Sequence, residues 1–170
     1  MITNGFSQIS VNLSPTYNII RQNYTVTGLG IEASVRFRSS KIIRLGFDAG
    51  YNKGFLRTPQ VVSIFSDRIT LYSGEHSYIP VQGIIELQTQ GTKFRALLGG
   101  GLGVGWWNVR ETSALLSGHI GLSYRLNERL QILTKAKYLS GTILNAMEDA
   151  SSSFYSFNTS IGINYQFNNK

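Results

Sequence analysis

The chain contains no cysteine, which rules out a disulfide framework and any thiolate metal site. Charged residues fill only 15 % of its 170 positions, against roughly 25 % in an average soluble domain. No run comes near the ~18 consecutive apolar residues of a transmembrane helix. No stretch of useful length has the helical period. The opening MITNGFSQIS lacks the charged n-region and apolar h-region of a secretion signal. If the protein is exported, a mature or re-engineered start is expected. The formal charge of +7 raises nucleic acid or an anionic surface as partners. Lys and Arg are scattered singly, however, and no face interleaves basic and aromatic residues. Nucleic acid is therefore not expected.

Gly, Ser, Asn, Thr and Tyr are plentiful, and they fall into a pattern of period two. Phe94–Trp107 reads FRALLGGGLGVGWW. Phe94, Ala96, Leu98, Leu102, Val104 and Trp106 share one face; Gly99, Gly101, Gly103 and Gly105 share the other. Alternation of this kind marks a strand, longer than the ~5–6 residues usual in globular proteins. The glycines are expected to face a lumen and make room for side chains from across it. Seven more alternating stretches surround this one, at about Phe6–Ile20, Tyr24–Arg38, Ile42–Lys53, His76–Thr89, Ser113–Arg125, Arg129–Ser140 and Phe154–Phe167. Pro15 interrupts the first and predicts a bulge, because proline cannot donate to a ladder. The expected fold is all-β: one domain over residues 1–170, an eight-stranded antiparallel up-and-down transmembrane β-barrel.

Connections after strands two, four and six are read as tight turns (Ser39–Lys41, Gln90–Thr92, Leu126–Glu128), and those after one, three, five and seven as longer. An even-stranded meander then puts both termini at the short-turn end, the asymmetry of outer-membrane barrels. A soluble barrel would turn its apolar face inward, a membrane barrel outward. Three features favour the membrane. Aromatics on the apolar face gather at strand ends, with Phe37, Phe94, Tyr124, Tyr165 and Phe167 near the short turns and Tyr17, Tyr51, Trp106, Tyr138 and Phe157 near the long loops. Such girdles match the two membrane interfaces. The polar face is rich in Gly, Ser and Asn and carries both signs of charge. The last strand finishes on an aromatic of the apolar face, in Tyr165-Gln166-Phe167.

With SYIPVQGIIEL, LSYRLNERLQILTKAKYLSG and the terminal INYQF, the whole chain resembles the small OmpA-like and OmpX-like outer-membrane barrels, in a Bacteroidetes-like style. The resemblance implies a bacterial outer-membrane protein with periplasmic termini, embedded among lipid and lipopolysaccharide. INYQF resembles the carboxy-terminal insertion signal of that family. Here Asn168, Asn169 and Lys170 follow Phe167, whereas many members end on the aromatic. No peptidoglycan-binding domain is expected beside the barrel.

Eight strands leave a lumen that side chains nearly fill. The inward charges are read as Glu32, Asp48 and Glu86 against Arg36, Arg44, Arg95, Lys135 and Lys137, with His119 beside them. Buried charges are costly unless paired, so an ion-pair network plugging the lumen is expected; a narrow anion pore is the functional alternative. Ser117, His119 and Glu86 can be drawn as a triad, but a triad is defined by geometry, and the inward face is wrong for a bilayer lipid. Asp67 and Glu148-Asp149 are isolated loop acids, no ligand spacing suggests a metal, and GLGVG is not followed by the helix of a phosphate loop. No cofactor is called for. The expected protein is not an enzyme but an anchor or accessory subunit that docks other outer-membrane or periplasmic proteins. The alternatives are an adhesin acting through residues 54–75, a small-solute pore, and last a lipid-modifying enzyme.

Overall fold

In the computed structural model, residues 8–21, 25–56, 75–108, 111–144 and 151–168 are described. They form strands β1 (Gln8–Arg21), β2 (Thr25–Arg38), β3 (Ile43–Leu56), β4 (Glu75–Gln88), β5 (Phe94–Trp107), β6 (Glu111–Arg125), β7 (Leu130–Leu144) and β8 (Ser151–Asn168). Every strand pairs antiparallel with its sequence neighbour, and β1 pairs with β8 to close the barrel. Closure leaves no unpaired edge, which is what allows a sheet to sit in lipid. Each strand has 14 residues or more, beyond the ~9–11 that cross a bilayer.

The short turns hold themselves together. Asn127 Oδ1 accepts from the backbone N–H groups of Arg129 and Leu130 at 2.9 and 2.8 Å. Ser40 Oγ does the same for Ile42 and Ile43. These are side-chain mimics of turn hydrogen bonds, the local chemistry that makes Asn and Ser turn residues. Ile9 lies opposite both Phe37 and Phe167, so the start of β1 and the end of β8 stand at the short-turn end, as expected.

Two expectations need correction. Pro15 does not create a bulge. Its partner on β2 is Ile31, and the β1–β8 register runs through it unchanged, from Leu13↔Ile163 to Thr16↔Ser160. Only pairing to β8 lapses around it. The missing N–H removes a rung without inserting a residue. Pro80 behaves alike, paired with Gly105 on β5 while the β3 ladder skips from Ala49↔Val81 to Asn52↔Tyr78. The connections do not simply alternate in length either. β1 runs to Arg21 before β2 starts at Thr25, and β5 to Trp107 before β6 starts at Glu111. Both links are as short as the opposite turns. Only β3–β4 is joined by a long segment; the Gly141–Ser153 loop contracts to residues 145–150, close to the length of the β4–β5 turn, because β7 extends to Leu144 and β8 begins at Ser151. Strand pairing continues wherever backbone groups can satisfy one another, so polar strand ends read as loop.

The two faces are opposite in character. Outward stand Leu29, Phe47, Phe94, Leu98, Leu102, Ile120, Leu122 and Ile163, between 57 % and 69 % exposed. Inward stand Asn12, Ser14, Asn18, Gln82, Glu86 and Gln131, each 2 % exposed or less. A continuous apolar exterior on this scale is not compatible with water; it is the exterior of a barrel in lipid. The barrel is inverted, and its polar core is the lumen.

Candidate functional site: the stratified lumen

Three layers fill the lumen, each built from inward-facing positions. The middle layer is ionic. Arg36 on β2 pairs with Asp48 on β3 at 2.6 Å and reaches Glu86 on β4 at 3.8 Å. Arg44 on β3 is paired with Glu86, whose other oxygen meets His119 Nε2 on β6 at 3.0 Å. From the far wall, Lys137 on β7 donates to Glu32 on β2 and to Asp48 at 2.7 Å, and Lys135 also donates to Glu32. These ion pairs tie β2, β3 and β4 to β6 and β7 through the interior. Buried charges are retained at tolerable cost only when paired and hydrogen-bonded, and here each carboxylate has at least two cationic or imidazole partners. Beside the network, Asn18 donates to Asn52 Oδ1 at 2.6 Å and Thr16 to the same oxygen at 3.1 Å. A space of about 10 Å3 remains between Glu32, Asp48, Lys137 and Asn52, room for about one water.

The layer at the long-loop end is apolar, and sequence reading missed it. Tyr78, Trp107 and Phe154 point inward and pack on one another, with ring centroids 4.5 Å apart for Tyr78–Trp107, 5.6 Å for Tyr78–Phe154 and 4.9 Å for Trp107–Phe154. Ile20, Val26, Leu115, Leu139 and Ile143 complete the cluster. Aromatic contacts of this geometry add to the burial of area. A signal was present. Trp106 and Trp107 are adjacent, and neighbours on a strand face opposite sides, so one of the two had to enter the lumen.

The layer at the short-turn end is basic. Arg38, Arg95 and Arg125 face inward there, with Gln88 and Gln166. Arg95 was expected in the ion-pair network and does not join it; its Nε donates to the Gly91 carbonyl at 2.9 Å. Its charged neighbours are Arg125, Arg38 and Arg44. The acids lie deeper, on Glu32, Asp48 and Glu86, out of its reach.

The glycines of β5 point inward as expected, but the side chains they admit come from the adjacent strands and not from across the lumen. A Cβ on Gly99 would stand 2.6 Å from His119 Nε2 on β6, and one on Gly105 would stand 2.6 Å from the Tyr78 ring on β4. Gly101 and Gly103 seat Ile84 and Gln82 in the same way. At the end of β5, Asn108 takes a positive φ of 47°, which Asn tolerates better than most residues. It clamps the start of β4 by a reciprocal pair with Ser77, both hydrogen bonds at 2.9 Å.

The paper triad does not form. Glu86 and His119 meet, but the Ser117 hydroxyl donates to Gln82 Oε1 at 3.3 Å. Among the described residues, no three His, Cys, Asp or Glu side chains converge as metal ligands. Asp67 and Glu148-Asp149, and most of residues 54–75, lie outside the described residues; so does the His76 side chain. Several outward aromatics pack on one another, across neighbouring strands or along one strand. Phe94 lies 4.8 Å from Tyr124, Tyr165 4.7 Å from Phe167, and Tyr138 6.1 Å from Tyr155. Tyr17, Tyr51 and Phe157 are exposed, and Phe37 and Trp106 half-buried, all on the same outer face. Phe47, in the middle of β3 and 62 % exposed, shows that outward aromatics are not confined to strand ends.

An apolar exterior around a packed polar lumen defines a transmembrane β-barrel of the outer-membrane type. No protein-family model and no curated protein matches the sequence. Solved structures do match in fold. The chain is similar to Neisserial surface protein A, at 14 % identity over 94 % of this chain and 97 % of that one, with a TM-score of 0.66. It is similar to the outer membrane protein OprG from Pseudomonas aeruginosa, at 12 % identity over 99 % and 100 % of the two chains, with a TM-score of 0.59. The outer membrane protein AlkL, solved in DMPC lipid bilayers, matches at 12 % identity over 99 % and 95 %, with a TM-score of 0.58. At such identities the likeness is one of fold.

Proposed function

We propose that the protein is a non-enzymatic barrel of the bacterial outer membrane, of the OmpA-like or OmpX-like kind, that serves as an anchor or accessory subunit and not as a conduit. The observation that carries this reading is the crossing of the lumen by Lys137 and Lys135, which bind Glu32 and Asp48 on the opposite wall. A solute would have to break those pairs and then displace the Tyr78–Trp107–Phe154 cluster above them. Function then falls to the surfaces: the lipid face, the segments joining β3 to β4 and β7 to β8, and the short-turn end. With the termini at the short-turn end, the family's asymmetry makes that end periplasmic and directs these two segments outward. Lipid and lipopolysaccharide surround the barrel, and its protein partners are other envelope proteins.

The test is a pair of measurements on the full chain. Reconstituted in planar bilayers, it should give no discrete conductance steps; extracted in mild detergent from its own envelope, it should co-purify with a larger assembly in fixed ratio. Reproducible single-channel steps would replace this reading with a pore, and a strictly solitary barrel would remove the accessory role.

A further inference from the structure

The basic end of the lumen breaks a rule that the rest of the barrel keeps. Arg38 and Arg44 lie directly opposite each other in the β2–β3 register, both facing inward. Like charges in that relation are destabilising. Arg44 is compensated by Glu86, but among the described residues Arg38 is bound only to uncharged oxygens: Gln8 Oε1 at 3.2 Å and the carbonyls of Ser40 and Lys41 at 3.1 and 3.4 Å. Arg95 and Arg125 join them with no carboxylate partner among the described residues, and Arg125 Nε is buried without any partner. Arg44, only 7 % exposed, also keeps an unpartnered Nε. Local costs that the fold does not recover tend to mark functional positions.

A space exists where these groups converge. A cavity of about 180 Å3 is lined by Arg38, Lys41, Arg95, Gln88 and the Thr89–Gly91 turn. Arg38, Arg95 and Gln88 also line a smaller pocket leading inward to Arg44 and Arg36. The outer cavity is below the ~300 Å3 of a typical drug-sized site, so it fits a compact ligand. Guanidinium forks match the oxygens of carboxylates and phosphates. A carboxylate brings a single charge; a phosphate monoester brings nearly two, which suits several unpaired arginines better.

We propose that the short-turn mouth of the barrel is a binding site for a phosphate-bearing dianion, held by Arg38 and Arg95 with Arg44 behind them. The site is argued from the lumen alone and stands apart from the accessory role. The phosphate can be free or belong to a lipid headgroup at the barrel rim.

The full chain in nonionic detergent, titrated calorimetrically with inorganic diphosphate at low salt, should show saturable binding that weakens as salt rises. Arg38→Gln and Arg95→Gln should each weaken it roughly tenfold or more, the scale of a lost charge-assisted hydrogen bond. Lys93→Gln, on the same end but outside the cavity, should leave it within about twofold. Heat-modifiable gel migration verifies that each variant is folded. In nanodiscs of phosphatidylcholine the diphosphate should still bind. If adding phosphatidic acid, whose headgroup is a phosphate monoester, weakens it competitively, the site takes a headgroup; if not, it takes a free phosphate. Absence of saturable binding by the unaltered chain overturns the proposal, as does an equal loss in Lys93→Gln, which would mean diffuse surface attraction.

Discussion

Glu86 and His119 meet at 3.0 Å inside the lumen, although a whole strand stands between β4 and β6. Gly99 on β5 makes the contact possible. It lies opposite Glu86 on one side and His119 on the other, and having no side chain it lets the two reach past it. Gly99→Leu should therefore overpack the lumen and lower stability by ~1–3 kcal/mol. Gly118→Ala is the control. It faces lipid, and the nearest atom to an added Cβ is the Gly99 carbonyl at 4.0 Å; it should change stability by less than ~0.5 kcal/mol. Urea unfolding in lipid vesicles measures both, and equal losses would refute the account of the glycines.

Glu32 is the acid that the two lysines of β7 share. Glu32→Gln leaves Lys135 with Asp48 at 4.0 Å as its remaining carboxylate and Lys137 with the same carboxylate at 2.7 Å. One acid then faces two buried ammonium groups and Arg36. The expected loss is ~3–5 kcal/mol, that of an uncompensated buried charge. Glu32→Gln combined with Lys135→Met should recover part of it. A double-mutant cycle reads the coupling, and additivity would show that the pair is not bonded.

The two tryptophans provide a test of orientation. Trp106 is on the lipid face and Trp107 in the lumen, 6 % exposed. In Trp107→Phe, the remaining emission should be quenched by lipids with brominated acyl chains. In Trp106→Phe, such lipids should quench little. The opposite pattern would place the wrong face outward. The same Trp106→Phe background reports on the apolar cluster: Phe154→Ala should shift the Trp107 emission to the red and cost ~3–5 kcal/mol.

Strand number, closure and the inversion of faces were legible because alternation is a local property, and a sequence of period two has only one parity to assign per strand. The inward charges were legible for the same reason. Partners were not. Lys137 reaching Glu32 depends on strand tilt and on residues more than a hundred positions apart, which alternation does not encode. The aromatic cluster was hidden by a second rule. Tyr78, Trp107 and Phe154 keep the inward parity of their strands but break the association of that face with polar residues, and only their mutual packing shows that the lumen there is apolar. Arg38 and Arg125 fell on the inward face in plain view, yet their lack of carboxylate partners among the described residues was visible only once Arg36 and Arg44 had been seen to take the acids.

Leu102 tests the membrane reading most directly. It lies near the middle of β5, 69 % exposed, in an outward row with Phe47, Gly83 and Leu116. In water, Leu102→Arg would relieve an apolar surface and leave stability unchanged or improved. In a bilayer it puts a charge among acyl chains, at ~2–4 kcal/mol near the midplane. Glu128→Arg, exposed in the β6–β7 turn, introduces the same guanidinium where headgroups and water can solvate it, at less than ~0.5 kcal/mol. The contrast between the two, measured by unfolding in the same vesicles, isolates depth from chemistry. Equal effects would mean that the apolar belt faces something other than lipid.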